Sequence, residues 1–343
     1  MQPEALWDGT GVGSRVLRGV LRPASWAYCG VMRARNALFD AGVLPSHDTA
    51  IPALSVGNLS VGGTGKTPIA ADIARRLRAG GGSPALILRG YGEDEPRVHA
   101  LLNPMVPVLT SPDRVAACLE AQRRGCDVAV LDDAFQHRRA RRVVDIVLVA
   151  AEQWRRPLRC LPSGRYREPV ESLARASLVV VTRKTTPADA AREVGDAMRA
   201  FTAAPVMHAL FSLDALHRVG GDGESRSLAT LADRPVVAVA GVGAPRAFAR
   251  QLEAAGARVT LASYPDHHRF TATDVADILE CAAADSAVVC TLKDAVKLDR
   301  LWPRASTPLW YVSQRVAIEA GQVEYADALQ GLLDARPHHP LIR

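Results

Sequence analysis

The chain has 343 residues, 48% of them hydrophobic and 23% charged, with 42 Lys and Arg against 36 Asp and Glu. This is the composition of an ordinary globular protein, too long for one small core, and it excludes a disordered or low-complexity chain. The net charge of +6 points to an anionic partner: nucleic acid, a phosphorylated substrate or an acidic membrane surface.

Six cysteines (Cys29, Cys118, Cys126, Cys160, Cys281 and Cys290) are scattered without a C-x-x-C pair or a metal-ligand spacing, which suits a reducing cytosol. No run of eighteen apolar residues occurs, so no conventional membrane span is expected. The N-terminus lacks the apolar core and small-residue cleavage site of a signal peptide, and the chain is expected on the cytoplasmic side.

In chain order, residues 1–45 come first. Five arginines (Arg15, Arg18, Arg22, Arg33, Arg35) and no acid lie between Gly11 and Phe39, interleaved with Val16, Leu17, Val20, Trp26, Val31 and Leu38. Pro23 and Ser25 divide the segment into two helical stretches. Two readings are open: an interfacial membrane helix, or a helix packed on the domain with its arginines solvated.

Residues 53–56 read as a buried strand. A loop with Gly57, Gly62, Gly63, Thr64 and Gly65 follows, and a helix opens at Lys66-Thr67-Pro68. Strand, glycine-rich loop and helix N-terminus in that order make a phosphate cradle, with Lys66 on the β/γ-phosphates and the Thr67 hydroxyl on Mg2+. Ser60 occupies the first glycine position of the usual pattern, so the strict G-x-x-x-x-G-K-[ST] spelling is not met.

Strands at 85–88, 106–109, 128–131, 146–149 and 178–181 then alternate with helical patterns at 69–79, 115–124 and 188–201. Continuous apolar strands between helices imply an α/β fold, a P-loop NTPase-like and mostly parallel sheet covered by helices. A polar, glycine-rich stretch near 220–227 suggests a boundary. A second α/β series follows, with strands at 236–240, 259–262 and 287–291 and helices at 245–255 and 273–283. A strand at 309–312 and a helix from about Ala317 close the chain. The expected organisation is a basic N-terminal segment at 1–45, a P-loop domain at 46–220 to which 305–343 returns, and a smaller α/β domain at 221–304.

Four groups carry chemistry. The strand at 128–131 ends in Asp132-Asp133, where sheet ligands bind and where phosphate-loop enzymes keep an Asp for Mg2+; helix capping is the bland alternative. Nine arginines lie between Arg138 and Arg167, beside this site, and suit phosphate oxygens; Glu168 is the adjoining acid. Asp94, in Arg89-Gly-Tyr-Gly-Glu-Asp94-Glu95-Pro96, is a candidate general base or a turn-capping residue. Asp266-His267-His268 sits in a loop without the companions a zinc site needs, leaving a catalytic loop or an exposed turn, and Lys293-Asp294 ends a strand with a charge pair.

These motifs resemble one family, the tetraacyldisaccharide 4'-kinases. The resemblance rests on residues 55–68, Arg89-Gly-Tyr-Gly92, Asp94-Glu-Pro96, Asp132-Asp-Ala-Phe-Gln-His137, Gly164-Arg-Tyr-Arg-Glu-Pro169, Ala240-Gly-Val-Gly243, Pro265-Asp-His-His268 and Lys293-Asp-Ala-Val-Lys297. It implies an ATP- and Mg2+-dependent kinase acting on the 4'-hydroxyl of a tetraacylated glucosamine disaccharide 1-phosphate, peripheral to the cytoplasmic face of the inner membrane. Asp94 and His267 look like the base and its partner, with Lys66, Asp132 and Asp133 in the catalytic set. Gly62, Gly63, Thr64, Gly65, Lys66, Thr67 and Arg167 look like nucleotide contacts, and Thr67, Asp133 and Glu168 like the Mg2+ contacts. The chain departs from the family at Ala134 (usually glycine), at Leu292 (commonly an acid) and in a shorter segment before Asp94. A nucleotide switch would need a metal-binding loop or a second lysine in the phosphate loop. A nucleic-acid ATPase would need exposed aromatics among its arginines, and aromatic content is 5%.

Overall fold

The computed structural model describes residues 3–336 apart from 10, 91, 93, 222 and 284. Tyr91 and Glu93 of the loop before Asp94 therefore lie outside the described residues.

Three helices come first, α1 (Pro3–Asp8), α2 (Val12–Val20) and α3 (Arg22–Asp40). The break between α2 and α3 falls at Leu21, with Pro23 in the first turn of α3, where its missing N–H costs nothing. Burial resolves the sequence ambiguity about their apolar stripe. No residue of α2 is buried, and on α3 only Ser25 is. Val12 and Val20 are 69% exposed and Trp26 71%, so the stripe does not face the core.

The first α/β series is β1 (Ala53–Asn58), α4 (Lys66–Ala79), β2 (Pro84–Leu88), α5 (Asp94–Leu102), β3 (Val108–Thr110), α6 (Arg114–Arg123), β4 (Val128–Asp132), β5 (Val144–Ala150), β6 (Leu178–Arg183) and α7 (Ala188–Met198). β1, β2 and β4 are buried on both faces, which explains their unbroken apolar runs. On α4, Ile69, Ala70, Ile73, Ala74 and Leu77 are fully buried at helical spacing.

Then come β7 (Val206–Arg218), β8 (Ser225–Ser227), β9 (Pro235–Ala240), α8 (Pro245–Ala254), β10 (Arg258–Ser263), α9 (Ala272–Cys281), β11 (Ala287–Thr291), α10 (Leu292–Leu298), β12 (Leu309–Ala320) and α11 (Gln322–Asp334). In β9, Val236, Ala238 and Ala240 pack with Phe248 and Leu252 of α8. The alternate residues Val237 and Val239 pack with Val275 and Ile278 of α9. One strand thus buries both faces, as its period of two requires.

The two series share one 12-stranded sheet, ordered β10-β9-β11-β12-β7-β6-β5-β1-β4-β2-β3 with β8 on β7. The second series therefore has its own hydrophobic clusters but no separate sheet. The join is β7 with β12, paired antiparallel along most of their length. β7 was missed in the sequence, and the helix expected from Ala317 begins at Gln322, because residues 317–320 pair with 208–210 of β7. Tertiary pairing overrides the helical look of Ala-Ile-Glu-Ala.

The register dictates where a ligand goes. β7 runs parallel to β6 over 206–210, and its far end pairs antiparallel with residues 310–312 of β12, itself parallel to β11. The strands of the two series therefore point their carboxyl ends at each other across the middle of β7. That is where open α/β sheets hold their ligands.

Candidate active site

The facing strand ends enclose a cleft of about 640 Å³. Its floor is the loop between β1 and α4. Gly65 caps α4 in the left-handed region at φ +90, and a Cβ there would stand 2.4 Å from the Phe211 ring, so glycine is required at this position. Asn58 donates from Nδ2 to Thr64 Oγ1 at 2.9 Å, and Lys66 Nζ reaches Asn58 Oδ1 at 3.4 Å. Gly62, Gly63, Thr64, Gly65, Lys66 and Thr67 all line the cleft.

β4 lies beside β1, with Val56 opposite Asp132, and this adjacency brings the two aspartates next to the loop. They part ways there. Asp133 takes positive φ, lines the cleft, and stands 3.7 Å from Lys66 Nζ and 3.1 Å from Arg167 Nη1. Burial works to raise its pKa, and Lys66 and Arg167 more than offset that, so its carboxyl is held below the usual range and stays ionised.

Asp132 does not line the cleft. It is buried, and its Oδ2 lies 3.0 Å from Nε2 of the equally buried His99 on α5. Asp132 thus meets His99 of α5, outside the residues that line the cleft. Glu168 is placed in a similar way. It is fully buried, its carboxylate accepts from Asn36 at 2.9 Å and Arg175 at 2.8 Å, and it is absent from the cleft. In each, one carboxylate oxygen is partnered and the other, Asp132 Oδ1 or Glu168 Oε1, is buried without a hydrogen-bond partner among the described residues.

Asp94 opens α5 after the β2 loop, and His267 belongs to the loop after β10. Separated by 173 positions, they meet with His267 Nδ1 at 3.2 Å from Asp94 Oδ2. Burial raises the Asp94 pKa, but the His267 hydrogen bond and charge, with Lys293 and Lys297, win and hold it at about 2. The Asp94 hydrogen bond in turn pushes the His267 imidazole above its ordinary 6.5. Beside them, Lys293 Nζ donates to Glu95 Oε1 at 3.0 Å.

Of the nine arginines between 138 and 167, only Arg167 lines the cleft. Arg138, Arg141, Arg142 and Arg165 are paired with Asp40, Asp48, Asp145 and Asp8. The sequence reading missed Lys184, which lines the cleft just past β6, and whose ammonium burial pushes down against the pull of Glu152. Its signal was available: a lysine directly after an apolar strand, at the carboxyl edge of the sheet. The opposite wall is apolar, with Leu213, Val242, Phe248, Val312 and Val316, among which Asp214, Gln251 and Arg315 are polar.

The donor set suits Mg2+. One ionised carboxylate, Asp133, and one hydroxyl, Thr67, border the same cleft, and Mg2+ takes few protein ligands, completing its shell with phosphates and water.

The family profile for tetraacyldisaccharide-1-P 4'-kinase matches residues 17–333. The tetraacyldisaccharide 4'-kinase of Anaeromyxobacter dehalogenans strain 2CP-1 is 38% identical over 334 residues, covering 88% of this chain and 86% of the relative. That of Halorhodospira halophila is 33% identical, covering 97% of each. Among solved structures, Aquifex aeolicus LpxK in complex with ATP superposes with a TM-score of 0.73 at 28% identity, covering 94% of this chain and all of that one. Matched along nearly its whole length by the family profile and by relatives up to 38% identical, the chain belongs to the tetraacyldisaccharide-1-P 4'-kinase family.

Proposed function

We propose that the cleft performs the family's reaction, transfer of the γ-phosphoryl group of ATP to the 4'-hydroxyl of a tetraacylated glucosamine disaccharide 1-phosphate, with the following division of labour. The loop at 62–67 binds the triphosphate through backbone N–H groups and the α4 N-terminus. Lys66 and Arg167 balance charge on the transferring group. Asp133 and Thr67 are the residues that would hold Mg2+, which would supply charge neutralisation during phosphoryl transfer.

Asp94 accepts the proton of the sugar hydroxyl, and His267 orients its carboxylate. The observation that carries this reading is the Asp94–His267 contact at 3.2 Å, in which His267 lines the cleft and Asp94 is buried. A base of this kind serves a hydroxyl acceptor, and a nucleotide switch has no use for it.

The acceptor is a lipid, and the exposed stripe of α2 and α3 with its arginines supports peripheral association with an anionic membrane surface. Among the described residues no helix is long and apolar enough to cross a membrane. The test is a kinase assay with γ-labelled ATP and detergent-dispersed tetraacyldisaccharide 1-phosphate. Label on the 4'-oxygen supports the proposal. ATP hydrolysis indifferent to the lipid, with no labelled lipid, refutes it in favour of a switch.

A further inference from the structure

Cys29 on α3 and Cys160 on the loop leading to Arg167 are 131 positions apart, yet their Sγ atoms lie 3.0 Å from each other. The contact is framed by hydrogen bonds on both sides. Ser25, one turn earlier on α3, donates from Oγ to the Cys160 carbonyl at 2.8 Å and accepts from the Ser163 N–H at 2.9 Å. Tyr28 donates from its hydroxyl to the Arg167 carbonyl at 2.9 Å. Both backbones are thus set in place around the two sulfurs. Cys160 is buried and Cys29 is partly exposed, so one thiol meets solvent and the other waits beneath it.

We propose that Cys29 and Cys160 form a thiol–disulfide exchange site that takes a small disulfide such as oxidised glutathione and closes into a reversible intramolecular disulfide tethering α3 to the 159–168 segment. The sulfurs need approach by only about 1 Å to reach bonding distance. Among the described residues no other cysteine has a sulfur–sulfur contact of this kind: Cys118, Cys126 and Cys290 are buried and Cys281 is exposed.

The chemistry balances without a further reactant. The Cys29 thiolate attacks one sulfur of the small disulfide, forming a mixed disulfide and releasing one small thiolate. The Cys160 thiolate then attacks Cys29 Sγ, forming the Cys29–Cys160 bond and releasing the second. The two cysteine protons end on the two released thiolates, and the small disulfide takes up the two electrons the cysteines give. Order follows access. Burial, then the neighbouring Cys29, push the Cys160 thiol up to about 12, with Arg33 opposing, so Cys29 is the entering nucleophile and Cys160 the resolving one.

The consequence lies at the seam between the helix with the exposed apolar stripe and the segment that carries Arg167 into the cleft. In the reduced protein that seam is held by hydrogen bonds, which can open. In the oxidised protein it is covalent.

The test uses the full-length reduced protein incubated with oxidised glutathione, quenched by alkylation, digested and weighed without reduction. The expected product is a peptide pair joined through Cys29 and Cys160, two hydrogens lighter than the reduced pair and abolished by dithiothreitol. In Cys160→Ser, Cys29 is expected to stop at the glutathione adduct. Amide exchange in α3 is expected to slow on oxidation in the wild type and not in Cys29→Ser. A wild-type protein whose Cys29 carries glutathione while Cys160 remains alkylatable on unfolding overturns the proposal. So does α3 exchange that oxidation leaves unchanged.

Discussion

Asp94 and His267 set the pH behaviour of the site. With its carboxyl held at about 2, Asp94 adds stability above the ordinary 3.8, and this is lost as pH falls toward 2. His267 has the opposite sign. Its raised pKa adds stability that is complete below 6.5 and lost as pH climbs through the raised value. The charged pair is whole between about 4 and 6.5. For catalysis that window is unfavourable, because a carboxylate facing an imidazolium is a weak base. The kcat of the wild type is therefore expected to rise with pH above 6.5 as His267 loses its proton, and a kcat–pH profile checks it. In His267→Gln that rise should vanish, and in Asp94→Asn kcat should fall by about 10²-fold or more with the ATP KM little changed. Lys66→Ala should also cost on the order of 10²-fold in kcat, without loss of fold by circular dichroism, since Lys66 points into the cleft.

At the scale of elements, α5 is the bridge that places Asp94. It is tied to the second series by Lys293–Glu95 and by Arg97 Nη1 on the Val296 carbonyl, and to the first by His99–Asp132 and by Asn103 Nδ2 on the Ala71 carbonyl. His99→Leu leaves a buried carboxylate without its partner and is expected to cost roughly 1–3 kcal/mol of stability, read by urea unfolding. The helices α2 and α3 carry the opposite kind of tie, polar contacts inward and apolar side chains outward. Deleting residues 1–40 should weaken binding to anionic vesicles, by up to about 1 kcal/mol for each arginine near the surface, and flotation assays measure it. The phosphate loop and the first α/β series, α5 excepted, were legible in the sequence because each part is local: a strand, its next turn and the next helix. The partnerships His99–Asp132 and Glu168–Arg175 were not. In sequence, Asp132 and Asp133 are the same residue twice, and only the fold turns one inward and the other into the cleft. The pairing of Asp94 with His267 was legible only through the family resemblance, while the start of α5 looked like a turn.

For the whole molecule, β7 and β12 decide the shape. β7 escaped notice because Val-Met-His-Ala-Leu-Phe buries alternate residues, Met207, Ala209 and Phe211, where β1, β2 and β4 bury every one. At the level of the sheet, the connection between the halves consists of these two strands, since β11 and β6 lie on either side of them and do not touch. The cleft opens at the middle of this ribbon, where Leu213, Asp214, Gln314 and Arg315 line it and where the pairing slips between Val312 and Gln314. In mechanical terms this is a flexure: two slender strips between two stiff plates, with an irregularity at the point of greatest bending. A load applied in the cleft acts on the strips themselves, so a nucleotide bound there should stiffen them. Amide exchange at 213–216 and 313–316 is expected to slow when ATP is added, while exchange in β1 and β4, inside the plate, stays as it was. Equal slowing everywhere would mean that the plates themselves yield and that the ribbon is no hinge.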